Sequence, residues 1–458
     1  MGRENRKATY DTEYRHKHPS YSLSLFPLSL SVMPATSWYS SCTCITAAVA
    51  RPNLSPDTST SSDDNSTAAS TTRLQSNASL QTLPSVPSLQ KLSANEKTSL
   101  SHLLVSSLRP DRSQVTSIAI SSGLLYSASS NQIRAWEVST LDQIDAFNFS
   151  GDGSVKSLVF SDGRIFTAHQ DCKIRVWEFD THHRQRHRHV ASLPTLNDRL
   201  LRSLLAKNYV PVRRHKKRLW VEHDDAVSAL AVCKGLLYSV SWDKTLKIWR
   251  ISDLRCLQSV TAHGDAVNAV AVAGDGTVYT GSADSRIRVW AREKGEKKYT
   301  LRATLEKHKS AVNALALDGE GTVLYSGACD RSILVWERED SAGHMALAGA
   351  LRGHSGAILC LINAEDLLLS GSADRTVRIW GRGIDGQYAC LGKLEGHAKA
   401  VKSLGAVCDG SESGYTVYSG SLDGEIRVWR LNFSDFLDIR NSIGVEVIAF
   451  ALWFQTIC

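Results

Sequence analysis

The feature that most constrains the fold is a short residue pattern that returns five times along the chain. Each copy has a His, then a Ser or Thr, then an Asp four residues after that hydroxyl, and a Trp six residues after the Asp. The spacing from hydroxyl to Trp is fixed, whereas the distance from His to Asp varies between 20 and 26 residues. The copies are His223/Ser239/Asp243/Trp249, His263/Thr280/Asp284/Trp290, His308/Ser326/Asp330/Trp336, His354/Ser370/Asp374/Trp380 and His397/Ser419/Asp423/Trp429.

A hydroxyl, an imidazole and a carboxylate are also the parts of a nucleophilic active site. An enzyme needs one such constellation in one cleft, so five copies at one spacing indicate a repeated structural unit instead. We find no catalytic constellation outside the repeat. The sequence therefore predicts a non-enzymatic protein with no catalytic residues and no cofactor.

The residues around each copy predict strands. Residues 277–290, "TVYTGSADSRIRVW", alternate β-forming residues on either side of a tight turn. Residues 266–272, "AVNAVAV", are small and apolar on both faces, as in a strand that is buried on both sides. We expect a meander in which the His loop and the Asp turn lie at the same end of the sheet.

This pattern resembles the WD-repeat family, whose members fold into β-propellers of four-stranded blades. In that family the Trp, the hydroxyl, the Asp and the His form a buried hydrogen-bonded tetrad, and the resemblance assigns that role to all five sets above. None of the five Trp residues is followed by Asp, although that dipeptide gives the family its name. The resemblance implies an all-β propeller in which these polar residues are structural.

Seven Trp residues mark the third strand of a blade, because Trp136 and Trp177 precede the five already named. The first copy has Asp111 at the His position, and Asn131 lies nearest to its Asp position. The second copy has Gly151 at the His position but keeps Thr167 and Asp171. We expect seven blades over residues 99–431, with two incomplete tetrads and with residues 99–108 closing the ring as the fourth strand of blade seven.

The 72-residue interval between Trp177 and Trp249 exceeds the others by about 30 residues, which predicts an insertion at about 180–214. Residues 178–222 contain 11 Lys/Arg and 4 Asp/Glu, a net charge of 11 − 4 = +7 that equals the net charge of the whole chain. We place the insertion between the third and fourth strands of blade two, on the face opposite the His and Asp loops. Within it, periodic leucines predict a helix over 197–209.

The insertion ends in a basic cluster, for which a nuclear localisation signal and a solvated loop are both open interpretations. The nearby histidines (His182, His183, His187 and His189) lie among arginines, which repel cations, so no metal site is expected. A basic loop without a recognition motif predicts no specific nucleic-acid binding. The cluster comprises Arg213, Arg214, Lys216, Lys217 and Arg218.

The two ends differ in composition from the repeats. Residues 1–98 include a long stretch rich in Ser and Thr and poor in large apolar residues, which predicts disorder. Residues 432–458 form an atypical apolar tail that is too short to span a bilayer, so no membrane association is expected.

A closer resemblance covers residues 110–431, including the basic insertion. The stretches 164–179, 193–230 and 236–270 are similar to the plant WD-repeat proteins of the Jingubang type. This similarity implies a monomeric regulator of pollen germination and tube growth that binds proteins in the nucleus and cytoplasm, with a transcriptional regulator as one candidate partner. A substrate receptor of a cullin ubiquitin ligase is the alternative, although the Trp-Asp-x-Arg docking motif is absent from all seven Trp positions.

The partner site is expected on the face that bears the His and Asp loops. The residue before each turn Asp points outward there, and Trp242 and Leu422 occupy two such positions. Trp and Arg are frequent at binding hot spots, so we expect Trp242 to be an anchor within a ring of arginines. Packing of Trp242 on the adjacent blade is the competing interpretation. The ring comprises Arg286, Arg331 and Arg375.

Overall fold

The computed structural model describes eleven stretches of the chain and contains seven four-stranded antiparallel sheets within them. These sheets are the blades of a seven-bladed β-propeller, which confirms the predicted fold class. The described residues are 86–90, 100–110, 113–149, 151, 153–180, 186–213, 216–293, 295–339, 345–383, 385–408 and 414–433.

Six blades are meanders of four consecutive strands, numbered here along the chain with the innermost strand of each blade first. Blade one contains β2 (Val115–Ser121), β3 (Leu124–Ser129), β4 (Gln132–Glu137) and β5 (Gln143–Asn148). Blade two contains β6 (Val155–Ser161), β7 (Arg164–His169), β8 (Ile174–Asp180) and β9 (Arg186–Leu193). Blade three contains β12 (Val227–Cys233), β13 (Leu236–Ser241), β14 (Thr245–Arg250) and β15 (Arg255–Thr261).

The remaining meanders follow without further insertions of comparable size. Blade four contains β16 (Val267–Val272), β17 (Val278–Ser282), β18 (Ile287–Ala291) and β19 (Thr300–Leu305). Blade five contains β20 (Val312–Leu317), β21 (Val323–Ala328), β22 (Ile333–Arg338) and β23 (Met345–Leu351). Blade six contains β24 (Ile358–Ala364), β25 (Leu367–Ser372), β26 (Val377–Arg382) and β27 (Tyr388–Leu394).

Blade seven is built from both ends of the propeller sequence. It contains β28 (Val401–Cys408), β29 (Gly414–Ser421) and β30 (Ile426–Phe433), and its outer strand is β1 (Leu100–Leu108). The antiparallel register runs from Leu100 opposite Phe433 to Leu108 opposite Ile426. The predicted closure by residues 99–108 is therefore confirmed. Because β30 continues to Phe433, the propeller extends two residues beyond the predicted end at 431.

The core lies between neighbouring blades. The first residue of each inner strand is a Val or Ile that is fully buried in all seven blades. Small residues in the second strands let the next blade approach closely: a Cβ atom on Gly281 would lie 2.7 Å from Val312 Cγ1 of the following blade. This fit explains why Gly follows the tetrad hydroxyl in blades four to seven, whereas Val240 takes that position in blade three. The buried set is Val115, Val155, Val227, Val267, Val312, Ile358 and Val401.

The predicted position of the insertion is wrong. The fourth strand of blade two is β9, and its last residue, Leu193, pairs with Ile174 beside the turn that carries Asp171. The insertion therefore follows the fourth strand and lies between blades two and three, on the same face as the His and Asp loops. The sequence of β9 is rich in His and Arg and does not resemble a strand of the core. His187 is nevertheless buried, because Asp145 of blade one bonds its ring.

The insertion contains a helix and a hairpin. Helix α1 (Leu196–Ser203) is followed by a 3-10 turn (Ala206–Asn208), so the helix predicted over 197–209 is shorter than expected. The antiparallel hairpin pairs β10 (Tyr209–Arg213) with β11 (Lys216–Leu219). Residues 214 and 215, between these two strands in the sequence, lie outside the described residues.

Residues 86–90 lie on the propeller, although they belong to the segment that was predicted to be disordered. This stretch runs between β23 and β27, the outer strands of blades five and six. The Ala350 amide donates to the Pro87 carbonyl oxygen at 3.0 Å, and the Tyr388 amide donates to the Leu89 carbonyl oxygen at 2.8 Å. Val86 is buried in the core cluster of blades four and five. These contacts explain why residues 86–90 adopt a defined structure although Ser and Pro residues flank them in the sequence.

The other residues of the predicted disordered segment lie outside the described residues, as does the tail from 434 onward. None of the helices in the described part of the chain has the length and apolar character that crossing a bilayer requires.

Candidate functional site

Each of the five complete repeats forms the same hydrogen-bonded chain from Asp to Trp. In blade five, His308 Nδ1 lies 2.8 Å from Asp330 Oδ2, and His308 Nε2 lies 2.8 Å from Ser326 Oγ. Trp336 Nε1 donates to the same Ser326 oxygen at 2.9 Å. Blades three, four, six and seven repeat these contacts with distances between 2.8 and 3.1 Å.

The hydroxyl and indole groups of these tetrads lie inside the blades and not at an accessible surface. The five hydroxyl residues are completely buried, and each of the five Trp residues is at most 5% exposed. Neither set is therefore available to a substrate or a partner protein. The buried pairs, in which each indole donates to the hydroxyl, are Ser239 with Trp249, Thr280 with Trp290, Ser326 with Trp336, Ser370 with Trp380, and Ser419 with Trp429.

The histidines and carboxylates continue each chain toward the loops. The five His residues are also buried, whereas the five Asp residues are half-buried at the end of the blade. Each Asp therefore joins the turn that carries it to the buried ring of the loop before the inner strand. These pairs are His223 with Asp243, His263 with Asp284, His308 with Asp330, His354 with Asp374, and His397 with Asp423.

The direction of these bonds follows from the chemistry of their ends. An ionised carboxylate only accepts hydrogen bonds and an indole nitrogen only donates, so His Nδ1 donates to Asp and the Ser hydroxyl donates to His Nε2. The order matches that of a serine nucleophile, its base and its orienting acid. Each hydroxyl residue is nevertheless fully buried and accepts a bond from Trp. The site therefore has no room for a substrate, and the arrangement is structural.

The tetrad carboxyls carry their charge at neutral pH. Burial opposes the charge, but interactions with the histidine and with backbone N–H groups outweigh it and hold the pKa of all five Asp residues below the usual range. The pKa of Asp284 falls to about 2. Burial lowers the pKa of His223 and His397, so these rings stay neutral donors to their carboxylates.

In blade two a histidine from the second strand, and not from the preceding loop, bonds the hydroxyl, and its other ring nitrogen bonds a backbone carbonyl oxygen in place of Asp171. His169, from the end of β7, bonds Thr167 Oγ1 through Nε2 at 2.7 Å and the Gly153 carbonyl oxygen through Nδ1 at 3.0 Å. Burial, and then the charge of Arg175, lower the pKa of His169 to about 4. Arg175 in turn forms a bidentate ion pair with Asp171. The signal available in the sequence for this histidine was its position two residues before the turn Asp.

The described residues of blade one retain the bond between the Trp and the hydroxyl of the pattern. Trp136 Nε1 donates to Ser127 Oγ at 2.9 Å. Asn131, at the position nearest to the turn Asp, donates to the Gly151 carbonyl oxygen of the next blade at 3.3 Å. Asp111 lies outside the described residues.

One group of three potential metal ligands occurs among the described residues, namely His397, Asp423 and Glu425. Each member already has protein partners. His397 belongs to the tetrad of blade seven, and Glu425 pairs with Arg427 at 3.2 Å and also with Arg109. Two guanidinium groups beside the carboxylates disfavour a metal ion there. The ion pair of Glu425 with Arg109, which follows β1, instead supports the closure of the ring.

The residue before each turn Asp lies close to the central channel, because its amide donates to the residue that precedes the inner strand. The Trp242 amide donates to the Ala226 carbonyl oxygen at 3.1 Å, and the Leu422 amide makes the equivalent bond to Ala400 at 3.0 Å. Trp242 is half-buried, and the Lys156 ammonium of blade two lies 5.5 Å from the centroid of its ring. Trp242 therefore contacts the adjacent blade while keeping part of its surface exposed.

Two lysines give this region a positive charge. Lys156 and Lys402 are the second residues of the inner strands of blades two and seven, so they take equivalent places around the ring. Burial, and then the charge of Lys402, lower the pKa of Lys156. We refer to Lys156, Trp242 and Lys402 as the rim cluster, a cation–aromatic group on the face with the His and Asp loops.

The three arginines expected around this site are not equivalent. Arg331 and Arg375 directly follow their turn Asp, are exposed, and share a left-handed backbone with φ of 68° and 72°. Arg286 lies one residue further along, and its Nε atom pairs with Glu306 Oε1 at 2.8 Å. The sequence around Arg286 does not show this ion pair, because Glu306 comes from a different loop.

The basic cluster of the insertion is partly bound to the propeller. Arg218 pairs with Asp224 at 2.8 Å and donates to the His223 carbonyl oxygen at 2.9 Å. Lys217 is exposed. Arg218 therefore fastens the hairpin to the tetrad loop of blade three and is not part of a freely solvated loop.

Comparison with known proteins identifies the repeat. The family model described as "WD domain, G-beta repeat" matches residues 215–250, 254–291, 299–337, 346–381 and 388–430. These ranges correspond to the five blades with complete tetrads. Blades one and two have the same fold but depart from the pattern in sequence.

Several curated proteins are similar over part of the chain. An uncharacterised WD-repeat protein of Schizosaccharomyces pombe is 24% identical over 223 residues, which are 47% of this chain and 57% of that protein. Protein Notchless of Drosophila melanogaster is 28% identical over 194 residues, 42% of this chain and 38% of Notchless. The small ribosomal subunit protein RACK1 of the same species is 30% identical over 98 residues, 20% of this chain and 29% of RACK1. This chain thus spans less than two thirds of each relative.

Proposed function

We propose that this chain, whose five regular repeats match the WD domain model, is a non-enzymatic scaffold that binds other proteins at its rim cluster. WD40 propellers generally act in protein–protein interactions. The buried tetrads use their hydroxyls, imidazoles and carboxylates internally, which leaves no reactive group among them for chemistry on a substrate. We therefore expect the face with the His and Asp loops to act by binding other proteins.

The observation that carries the proposal is Trp242. A half-buried indole in a short turn offers a large rigid apolar surface at a small cost in conformational entropy, and such residues dominate binding energies at interfaces. The Lys156 ammonium lies beside the indole, and Lys402 lies close enough to Lys156 to lower its pKa, so the two cations favour an acidic side chain of the partner. Arg331 and Arg375 add exposed positive charge on the same face.

Affinity purification of the propeller from its native tissue, followed by mass spectrometry, tests this proposal. Trp242→Ala should deplete the captured partners, with a loss in affinity of about 2 kcal/mol or more, or roughly 30-fold. Leu301→Ala is the control, because Leu301 is also a partly exposed apolar side chain but lies on the outer strand of blade four, away from the rim. Equal capture by wild type and Trp242→Ala would exclude the rim cluster as the main binding site.

The finer biological role rests on the resemblance to Jingubang-type proteins. It assigns the chain to the control of pollen germination and tube growth, with partners in the nucleus and the cytoplasm. Knockdown in growing pollen, scored by germination frequency and tube length, tests that role. Unchanged germination and growth would contradict it.

We also propose that the basic cluster directs nuclear import. Replacement of Arg213, Arg214, Lys216 and Lys217 with Gln should move a fluorescent fusion too large for passive diffusion out of the nucleus. Arg218 stays in place, because its bonds to Asp224 and His223 hold the hairpin. An unchanged distribution between the compartments would favour a purely structural hairpin.

A further inference from the structure

Helix α1 has the opposite orientation to an ordinary amphipathic surface helix. Its apolar residues face solvent, whereas Asp198 is only 4% exposed and faces the propeller. A surface helix normally buries its apolar stripe against the core, so this reversed orientation needs an explanation. The exposed leucines are Leu196, Leu200, Leu201, Leu204 and Leu205, which we call the leucine face.

Polar bonds hold the helix in this orientation. Asp198 accepts from Arg202 Nε at 2.7 Å, and Arg202 donates to the Cys256 carbonyl oxygen on β15 at 3.0 Å. The Arg202 guanidinium also stacks 4.4 Å from the Trp220 ring. Thr195 caps the N-terminus by accepting from the Asp198 amide. Because buried charged groups are costly to leave unpaired, this anchor strongly disfavours rotation of the leucine face toward the propeller.

Leu196 and Leu200 of the leucine face form one wall of a groove, and the other exposed leucines continue the apolar surface beyond it. The opposite wall comes from the hairpin, and Tyr209 and Leu219 contribute apolar surface to the lining. Tyr209 and Val210 are themselves about 40% exposed. An open groove between a helix and a hairpin, lined by both apolar and charged side chains, is a surface on which an amphipathic helix can lie.

The edge of the groove is basic. Lys207 and Lys217 are exposed, Arg199 is about half exposed, and the surrounding residues 178–222 carry the net charge of +7. Arg199 pairs with Glu222 at 2.8 Å, which fixes its position beside the leucines. A partner with carboxylates flanking an apolar stripe would match both the leucines and these cations.

From these observations we propose that the leucine face is a second partner site, which binds an acidic amphipathic helix of another protein. The partner places apolar residues at helical spacing against Leu200 and Leu204, and its carboxylates pair with Lys207 and Lys217. This inference adds to the proposed function a stated chemistry for one class of partner. It uses a surface separate from the rim cluster, so the two proposals can fail independently.

Fluorescence anisotropy with the full-length chain tests this assignment. The probe is a labelled 16-residue helical peptide with Leu at positions i, i+3, i+4 and i+7 and with Glu or Asp at most other positions. Micromolar binding is expected, weakening as salt increases because the charged edge is exposed to solvent. Controls are a scrambled peptide of the same composition and a peptide in which Lys replaces the acidic residues.

Two protein variants separate the apolar and the charged contributions. Leu200→Gln/Leu204→Gln should weaken binding at least tenfold, and Lys207→Glu/Lys217→Glu should weaken it severalfold and reduce its salt dependence. Both pairs are exposed, so the melting temperature should stay within about 2 °C of wild type. Trp242→Ala should bind the peptide normally, which distinguishes a failure here from a failure of the rim cluster.

Three results would overturn the proposal. The first is undetectable binding of the acidic peptide, or equal binding of the scrambled one. The second is a wild-type dimer in light scattering that the leucine variant abolishes, since a second copy would then cover the face. The third is co-sedimentation of wild type, but not of the leucine variant, with phosphatidylserine vesicles, which would assign the face to a membrane surface.

Discussion

Blades three to seven and blades one and two differ in how they satisfy the hydroxyl of the second strand. In the five regular blades a His from the preceding loop bonds the hydroxyl and presents the other side of its ring to Asp. In blade two His169 comes from the second strand itself and bonds the backbone of Gly153. In blade one the bond from Trp136 to Ser127 is what the described residues retain of the pattern. The bond from Trp to the hydroxyl is thus the common element.

This difference also indicates which part of the propeller has polar and aromatic residues available for binding. The regular blades use their polar residues internally, and they give the family pattern that identifies the fold. The departures lie around blade two and its junction with blade three, where Lys156, the insertion and the turn of Trp242 are found. The following predictions, which begin with the largest expected effect, test whether the two regions differ in this way.

The largest effect is expected from opening the ring. Deleting residues 1–112 removes β1 and exposes the edge of β30, so the propeller should unfold or aggregate. Deleting residues 1–85 keeps every described strand and should leave the melting temperature nearly unchanged. Circular dichroism of both truncations measures this, and equal stability would contradict closure by β1.

A smaller loss is expected from residues 86–90. A truncation of residues 1–91 removes the bonds to Ala350 and Tyr388 and the buried Val86. Compared with the truncation at 85, it should cost about 1–2 kcal/mol, which corresponds to a melting temperature lower by roughly 2–6 °C. Identical melting curves of the two truncations would mean that this segment contributes nothing to stability.

A matched pair of serines compares a regular blade with blade one. Ser326→Ala leaves both His308 and Trp336 without a partner and should cost about 2–3 kcal/mol. Ser127→Ala breaks only the described bond to Trp136 and should cost about 1 kcal/mol. Urea unfolding of both variants gives these values. Equal losses of unfolding free energy would mean that the complete tetrad stabilises the protein no more than the bond between Trp and Ser alone.

The pH dependence of stability should show two stages. His169, whose pKa is about 4 when folded, has a pKa of about 6.5 when unfolded, so the unfolded state binds the proton more readily. Stability is therefore lost as the pH falls from about 6.5 toward 4. Asp284, with a folded pKa of about 2, loses its contribution only between about pH 4 and 2.

The variant His169→Gln isolates the first stage. It removes the titrating ring, so the slope of unfolding free energy against pH should flatten between pH 6.5 and 4. The slope below pH 4 should remain. An unchanged slope between pH 6.5 and 4 would show that His169 does not titrate as its burial indicates.

The sequence predicts the seven blades, their complete tetrads and the closing strand, because these depend on spacings within one repeat. It does not predict β9, whose residue His187 is buried by Tyr126, Asp145 and Phe147 of the neighbouring blade. Nor does it predict which way α1 faces, because the helical period is the same whichever face packs. The anchor that decides its orientation joins Asp198 to Cys256, 58 residues away in the chain. Contacts between distant residues therefore account for the errors.

Two tryptophans of blade three test most directly the claim that stability and binding reside in different residues. Trp249 is 1% exposed within a tetrad, whereas Trp242 lies half-buried in the rim cluster only seven residues earlier. The measurement is the melting temperature, together with captured partner per folded molecule, for Trp249→Phe and Trp242→Ala. We predict that Trp249→Phe lowers the melting temperature and preserves binding, whereas Trp242→Ala abolishes most binding at a nearly unchanged melting temperature. A sharp fall in stability for Trp242→Ala, with unchanged binding per folded molecule, would contradict the account.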